Sequence, residues 1–228
     1  VKIGIMSDLT LIIGNKNYSS WSLRPFLALK KTGQPFGEEV IVLRQPDTRA
    51  KILSHSGGGK VPVLKHGEIV VWETLAICEY LAETFPAARL WPDDRAARAH
   101  ARAVSNEMHA GFRAMRDNMP MDIRSDRRHE SRAHLAQDDI ARVTAIWTEA
   151  RDRWGARDGR PFLYGDFTIA DAMFAPVVTR FRTYGVKPGA IAERYMQALL
   201  TWPGFLAWEA AAKREPQVIE FDVFRQPA

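Results

Sequence analysis

The sequence predicts an α/β layer domain of order βαβαββα followed by an all-α domain, and three observations carry that prediction. Apolar strand runs alternate with helical patterns over residues 9–86. A short segment with two acids, a proline and small residues follows at 87–94, as expected of a linker, and beyond it only helical periodicities appear. LTLIIG at residues 9–14 reads as a buried strand, 22–31 as a helix, and GEEVIVL as a second strand. A helical or turn segment occupies 48–55. VPVLK and EIVVW then form two short strands around His66-Gly67, a hairpin, and a helix begins near Glu73 and stops before Pro86. These seven elements assign residues 8–86 to the first domain. Helices are expected near 95–119, 130–154, 168–184, 190–201 and 204–213, which assigns residues 95–228 to the second. In GDFTIADAMFAP, Thr168 can cap its helix while Asp171 reaches back to the cap backbone, so Asp171 reads as a structural acid, not a catalytic one.

Composition narrows the classes of function. The 228 residues, 46% hydrophobic and 26% charged, suit an ordinary globular protein with a full core. No apolar run approaches the ~20 residues that cross a bilayer. The N-terminus lacks a signal-peptide pattern, so the expectation is a cytosolic protein without a membrane partner, and residues 1–5, ahead of Met6, are given no functional weight. The single cysteine, Cys78, excludes disulfide frameworks and CxxC chemistry, and its place in TLAICEYLAETF marks it as a buried packing thiol. Net charge is +5, with nine arginines between Arg95 and Arg132. Glu107, Asp117, Asp122, Asp126 and Glu130 are interleaved with them and no aromatic stacking pattern accompanies them, so they read as a solvated helix surface and not as a nucleic-acid interface. SGGGK departs from a phosphate loop, because Lys60 is followed by Val-Pro and a strand. The six histidines show no metal-ligand spacing and no GxSxG elbow is present.

Three segments carry the chemistry. Ser19 and Ser20 lie where the first strand hands over to a helix, so a sulfur there meets hydroxyl donors and the positive helix end. Both favour thiolate and lower a thiol pKa from its usual ~8.5. Simple capping of the helix is the competing reading. Val61-Pro62, inside an apolar run, fits a cis bond, which turns the Val61 backbone outward to pair with a peptide, with Lys60 beside it for a carboxylate; an ordinary edge-strand proline is the competing reading. Glu73 and Thr74 open a helix whose N–H groups and Thr74 hydroxyl would take a carboxylate while Glu73 holds an ammonium. Together they describe a site for a small peptide thiol.

In this order and spacing the three segments resemble the glutathione S-transferase family over nearly the whole chain. The resemblance implies a thioredoxin-like first domain, a helical second domain with FTIADAMFAP as the family's capped helix, and glutathione as co-substrate. SSWSLRP is most similar to the serine-type classes, particularly zeta, whose loop reads SSCSWR. By that pattern Ser19 activates the thiol; theta-like spacing selects Ser20, and both stay open. The resemblance implies that Val61 contacts the cysteinyl part, Pro62 is the cis-proline, Lys60 stands where glutamine is common, and Glu73 with Thr74 holds the γ-glutamyl end. Ser56-Gly57 replaces the usual Asn-Pro, which would loosen that loop. Trp21 replaces the zeta-class cysteine, which argues against maleylacetoacetate isomerase activity.

A second substrate, a small electrophile, is expected between the domains. Met108, Phe112 and Met115 would form an apolar wall, with His109, Arg113 and Arg116 on neighbouring faces and Arg180 and Arg182 as weaker candidates. Core packing and solvent exposure are the competing readings. The expected function is a homodimeric glutathione transferase whose serine-stabilised thiolate attacks an electrophilic carbon or reduces a peroxide. The alternatives are a glutathione-binding protein without turnover and a glutathione-dependent isomerase.

Overall fold

A computed structural model describes residues 8–224, apart from the side chain of residue 158; residues 1–7 and the last four of the helical part lie outside the described residues. The chain begins with β1 (Leu9–Gly14), α1 (Ser20–Thr32), β2 (Gly37–Ile41), α2 (Thr48–Leu53), β3 (Val63–His66), β4 (Ile69–Val71) and α3 (Thr74–Thr84). The order is the one the sequence predicts. The sheet runs β2-β1-β3-β4, with β1 parallel to β2 and antiparallel to β3, and β3 antiparallel to β4.

The unbroken apolar run of β1 has a direct cause. Leu9, Leu11 and Ile13 join the main core with α1 and α3, while Ile12 faces the opposite way, into a smaller cluster with Ile41, Ile52 of α2 and Val63. A strand covered on both faces has no solvent side to make polar, and each such side chain contributes about 1.5–3 kcal/mol.

Six helices follow: α4 (Arg95–Ala110), α5 (Arg113–Asn118), α6 (Gln137–Ala150), α7 (Ile169–Tyr184), α8 (Ala190–Leu200) and α9 (Pro203–Arg214). None is long and apolar enough to cross a membrane. Two helical expectations need correction. The helix expected over 95–119 breaks at Gly111, and Phe112 takes φ 63° before α5 starts. The helix expected over 130–154 begins as 3-10 turns at Arg128–Glu130 and Ala133–Ala136, and its end widens into a π turn at Arg151–Gly155. That turn brings Gly155 against the 162–163 backbone, where a Cβ would lie 2.4 Å from the Leu163 carbonyl oxygen, so only glycine fits.

Helix α7 is buried along almost its whole length, and its entrance is built as the sequence predicts. Asp171 Oδ2 accepts from Thr168 N–H (2.8 Å) and from the Thr168 hydroxyl (2.9 Å), while Oδ1 accepts from Leu163 N–H (3.0 Å). Burial pushes the Asp171 carboxyl up to about 6, against the opposing pull of these hydrogen bonds. A carboxyl whose folded pKa is raised binds a proton more readily in the folded state, so its contribution to stability is complete below the unfolded pKa and is lost as pH rises through about 6. Asp171→Ala is expected to cost roughly 2–3 kcal/mol, with turnover per folded molecule retained. Thermal melts of the wild type and Asp171→Asn between pH 4 and pH 7 should show the wild type losing stability relative to the variant as pH rises. A normally melting but inactive Asp171→Ala protein would instead make Asp171 catalytic.

Candidate active site

Strand β1 delivers the chain through residues 15–18 to α1, which starts two residues earlier than the sequence pattern suggests. Ser19 is thereby the N-cap and Ser20 the first helical residue. The Ser19 hydroxyl accepts from Ser22 N–H (3.4 Å) and donates to Ser22 Oγ (2.7 Å), which in turn accepts from Gly14 N–H (3.1 Å). Ser22 is wholly buried. It is a site residue that the motif reading missed, although its position three residues after the cap is a recognisable signal. Because hydroxyl protons rotate, the same pair can instead run from Ser22 to Ser19, freeing the Ser19 proton for a ligand. The Ser20 hydroxyl makes no hydrogen bond within the described residues.

Both serines line a cleft of about 310 Å³ together with Tyr18, Trp21, Lys60 and Val61. The Val61-Pro62 bond is cis, one of the two geometries its sequence context allows. Lys60 is exposed and has no ion-pair partner among the described residues. Instead of being loosened by the missing Asn-Pro, the loop before it is closed by Ser56, whose hydroxyl accepts from Gly58 N–H (3.2 Å) and whose carbonyl accepts from Gly59 N–H (3.3 Å).

The α3 entrance departs from expectation in two respects. Glu73 caps its own helix, its Oε1 accepting from Leu75 N–H (3.2 Å) and Ala76 N–H (3.3 Å), so those donors do not await a ligand. Its Oε2 lies 3.3 Å from His109 Nε2 of α4, and the side chain is still half exposed and open to an ammonium group. Thr74 is 1% exposed and its only proton goes to the carbonyl of Trp21 (3.0 Å), so it is not the free ligand donor the sequence suggested. The reason lies in α1. Pro25, inside that helix, has no N–H to give to the carbonyl four residues back, and Thr74 supplies the missing donor.

The expected wall for a second substrate is largely packed core. Met108 and Met115 are buried, and Phe112 is nearly so, because the break at Gly111 ends the helical spacing on which the expectation rested. Arg113 is the opposite case: its side chain is 87% exposed and pairs with Asp117 (2.5 Å). Arg180 is buried and donates to Met119 O (2.7 Å) and Pro176 O (3.2 Å), with burial, and then the neighbouring Arg116, holding its pKa down to about 9. Arg182 pairs with Glu209 (2.6 Å).

Of the second-substrate candidates, Arg116 and His109 approach the cleft, both through Trp21. The Arg116 guanidinium lies 4.8 Å from the Trp21 ring centre and that of Arg24 4.5 Å away, while the His109 ring packs edge-on at 5.2 Å. Burial pushes the Cys78 thiol well above its ordinary value, which keeps it inert. A larger hollow of about 640 Å³ near Arg128 and α8 has Arg128 paired to Asp126, Arg182 to Glu209 and Arg124 donating to Gln217 O, and holds no comparable set.

Comparison with known proteins gives concordant matches. The family model for the glutathione S-transferase N-terminal domain matches residues 18–84, and that for the C-terminal domain matches residues 130–211. A probable maleylacetoacetate isomerase of Caenorhabditis elegans is 26% identical over 191 residues, covering 82% of this chain and 86% of its own. A crystal structure of a maleylacetoacetate isomerase from Anaeromyxobacter dehalogenans superposes with TM-score 0.65 at 26% identity, covering 96% of this chain and 97% of that one. A glutathione transferase homologue from a Burkholderia strain, solved with bound glutathione, shares the fold at 24% identity and TM-score 0.67, covering 91% and 98%.

The Thr74 contact generates a direct test. Thr74→Val should cost about 1–2 kcal/mol by stranding the Trp21 carbonyl, and Thr74→Ser should restore it. A Thr74→Val protein with wild-type melting and weakened glutathione binding would return Thr74 to a ligand-contacting role.

Proposed function

The chain belongs to the glutathione S-transferase family, whose co-substrate is glutathione, and from that premise we propose that the cleft at the start of α1 holds the glutathione thiol beside Ser19. One observation carries the reading: Ser19, Ser20, Lys60 and Val61, from separate segments of the sequence, line a single cleft next to the cis Val61-Pro62 bond. In this reading residues 8–86 bind glutathione and 95–228 supply the electrophile's side. The Val61 backbone pairs with the cysteinyl residue, Lys60 meets a carboxylate, and the exposed face of Glu73 meets the α-ammonium.

The thiol proton leaves to solvent. The remaining thiolate is stabilised by the Ser19 hydroxyl and the amino-terminal end of α1, with Ser22 and Gly14 N–H polarising that hydroxyl from behind. The thiolate then forms a carbon–sulfur bond as the electrophile's leaving group departs, or attacks a peroxide oxygen, breaking the O–O bond to release an alcohol with a proton from water and leaving a sulfenic acid that a second glutathione converts to the disulfide and water. Ser20 is the alternative thiol partner, since its hydroxyl has no hydrogen bond among the described residues.

A second reading is glutathione-dependent isomerisation, in which the thiolate adds to a double bond, allows rotation and is expelled again. The named activity of the Caenorhabditis elegans and Anaeromyxobacter dehalogenans relatives favours it, and Trp21 in place of the zeta-class cysteine weighs against it. A cytoplasmic homodimer is part of the proposal, by analogy with the family.

The test is retention on immobilised glutathione, then turnover of an aryl halide, an organic hydroperoxide and maleylacetoacetate. A hydrogen bond to a charged group is worth about 1.5–3 kcal/mol, so Ser19→Ala should lower kcat/KM roughly 10- to 100-fold with a matching rise in the bound thiol's pKa. Loss of activity in Ser20→Ala alone would transfer the role to Ser20. Retention without turnover would make the protein a glutathione binder.

A further inference from the structure

The loop that presents Ser19 is held mainly from the far end of the chain. Asn15, Lys16 and Asn17 are buried. Locally, Tyr18 N–H (3.1 Å) and Ser19 N–H (2.8 Å) close onto Asn15 O. The two backbone donors between Asn15 and Tyr18 have no local acceptor among the described residues. They are met by Glu215, immediately after α9: Oε1 accepts from Lys16 N–H (2.6 Å) and Oε2 from Asn17 N–H (2.9 Å). Successive backbone N–H groups converging on one carboxylate make a charge-assisted, two-point clamp.

Other contacts lock the clamp. Trp208 Nε1–H of α9 donates to Lys16 O (2.9 Å) and Ile123 N–H to Asn17 O (3.3 Å). The segment after Glu215 then crosses the loop, with Ile219 N–H donating to the Tyr18 hydroxyl (3.1 Å) and Phe221 packing edge-on against the Tyr18 ring (5.6 Å). Arg124 ties both strands together, donating to the Tyr18 hydroxyl (3.1 Å), to Gln217 O (2.6 Å) and to Glu215 O.

We infer that Glu215 is a positioning residue for the thiol-activating serine: its carboxylate fixes the Lys16-Asn17 backbone, and so sets how well the Ser19 hydroxyl and the start of α1 stabilise a bound thiolate. The inference rests on the proposed thiol site and adds to it a residue outside the cleft. Its electrostatic sign makes it testable. Acting merely as a nearby negative charge, Glu215 would disfavour the thiolate, and neutralising it would lower the thiol pKa. Acting through position, it favours the thiolate, and its loss raises that pKa. Glutamine keeps one acceptor oxygen but turns an amide donor toward a backbone N–H, so Glu215→Gln removes both the charge and half the clamp.

The experiment follows the ultraviolet absorbance of the glutathione thiolate against pH in the wild type and Glu215→Gln. Affinity for S-methylglutathione, which cannot ionise at sulfur, is measured alongside. The expected result is a bound-thiol pKa higher by about one unit and kcat/KM lower by roughly 10- to 100-fold, with S-methylglutathione affinity near wild type. An unchanged or lowered thiol pKa in a folded variant overturns the inference while leaving the thiol site standing. A wild type that binds glutathione without lowering its thiol pKa overturns both. Should Glu215→Gln not fold, Glu215→Asp, which keeps the charge but shortens the reach to Lys16 N–H and Asn17 N–H, must raise the pKa in the same direction or the inference fails.

Discussion

Burial of α1 is the constraint from which the site follows. The helix lies between the sheet and α7, and from Ser22 to Leu29 no residue of it reaches solvent appreciably. A polar group there must find a partner inside the protein, and the partners found shape the cleft, although Arg24 Nη2 is buried without one. Ser22 takes Gly14 N–H and the Ser19 hydroxyl. Arg24 donates to Met173 O of α7 (2.9 Å) and to Ser20 O (3.3 Å), which ties the helix start to the helical part of the molecule. The carbonyl that Pro25 leaves unpaired takes the Thr74 hydroxyl, which fixes α3 against Trp21. The serine pair therefore sits at the cleft end of α1, on a helix that cannot shift without breaking several buried contacts.

The legible parts of the sequence were those whose cause is local. The both-faces-buried run of β1, the hairpin turn at His66-Gly67 and the Thr168/Asp171 cap are each specified within a few residues, and each forms where its pattern lies. The cleft-lining residues were legible for a different reason: Ser19, Ser20, Lys60 and Val61 sit at junctions between elements, where the order of strands and helices brings them together. The illegible parts involve partners far apart in sequence. Thr74 looked like a ligand donor because nothing near it reveals that a proline some fifty positions earlier has left a carbonyl bare. Glu215 belongs to none of the elements or motifs visible in the sequence, since its two acceptor contacts lie almost two hundred residues away.

The break at Gly111 shows how such an error propagates. With a continuous helix over residues 95–119, Met108, Phe112 and Met115 share a face and Arg116 lies beside them. Ending α4 at Ala110 exposes the carbonyls of its last turn. Arg116 turns back to cap them, donating to Gly111 O (3.0 Å) and to Met108 O, and this carries its guanidinium over Trp21. The methionines go to the core, against what helical spacing implied, while Arg116, also expected on the substrate side, packs on Trp21 at the cleft's edge.

That rearrangement bears on the chemistry. Burial, followed by the charges of Arg116 and Arg180, holds Arg24 well below the ordinary arginine range, so three guanidinium groups share one region and feel one another. Such a concentration of positive charge favours anions over neutral molecules nearby. A thiolate at Ser19 would benefit from it whatever the second substrate is, so the field supports ionisation of sulfur without distinguishing transfer from isomerisation. That distinction falls to the space next to Trp21, where a bulky ring replaces a small thiol and draws Arg24, Arg116 and His109 around itself. If glutathione binds as proposed, with its sulfur at Ser19, an electrophile approaching it meets this aromatic and its cations, so under that proposal shape and charge at Trp21 select the electrophile, while α1 and the loop before it ready the sulfur.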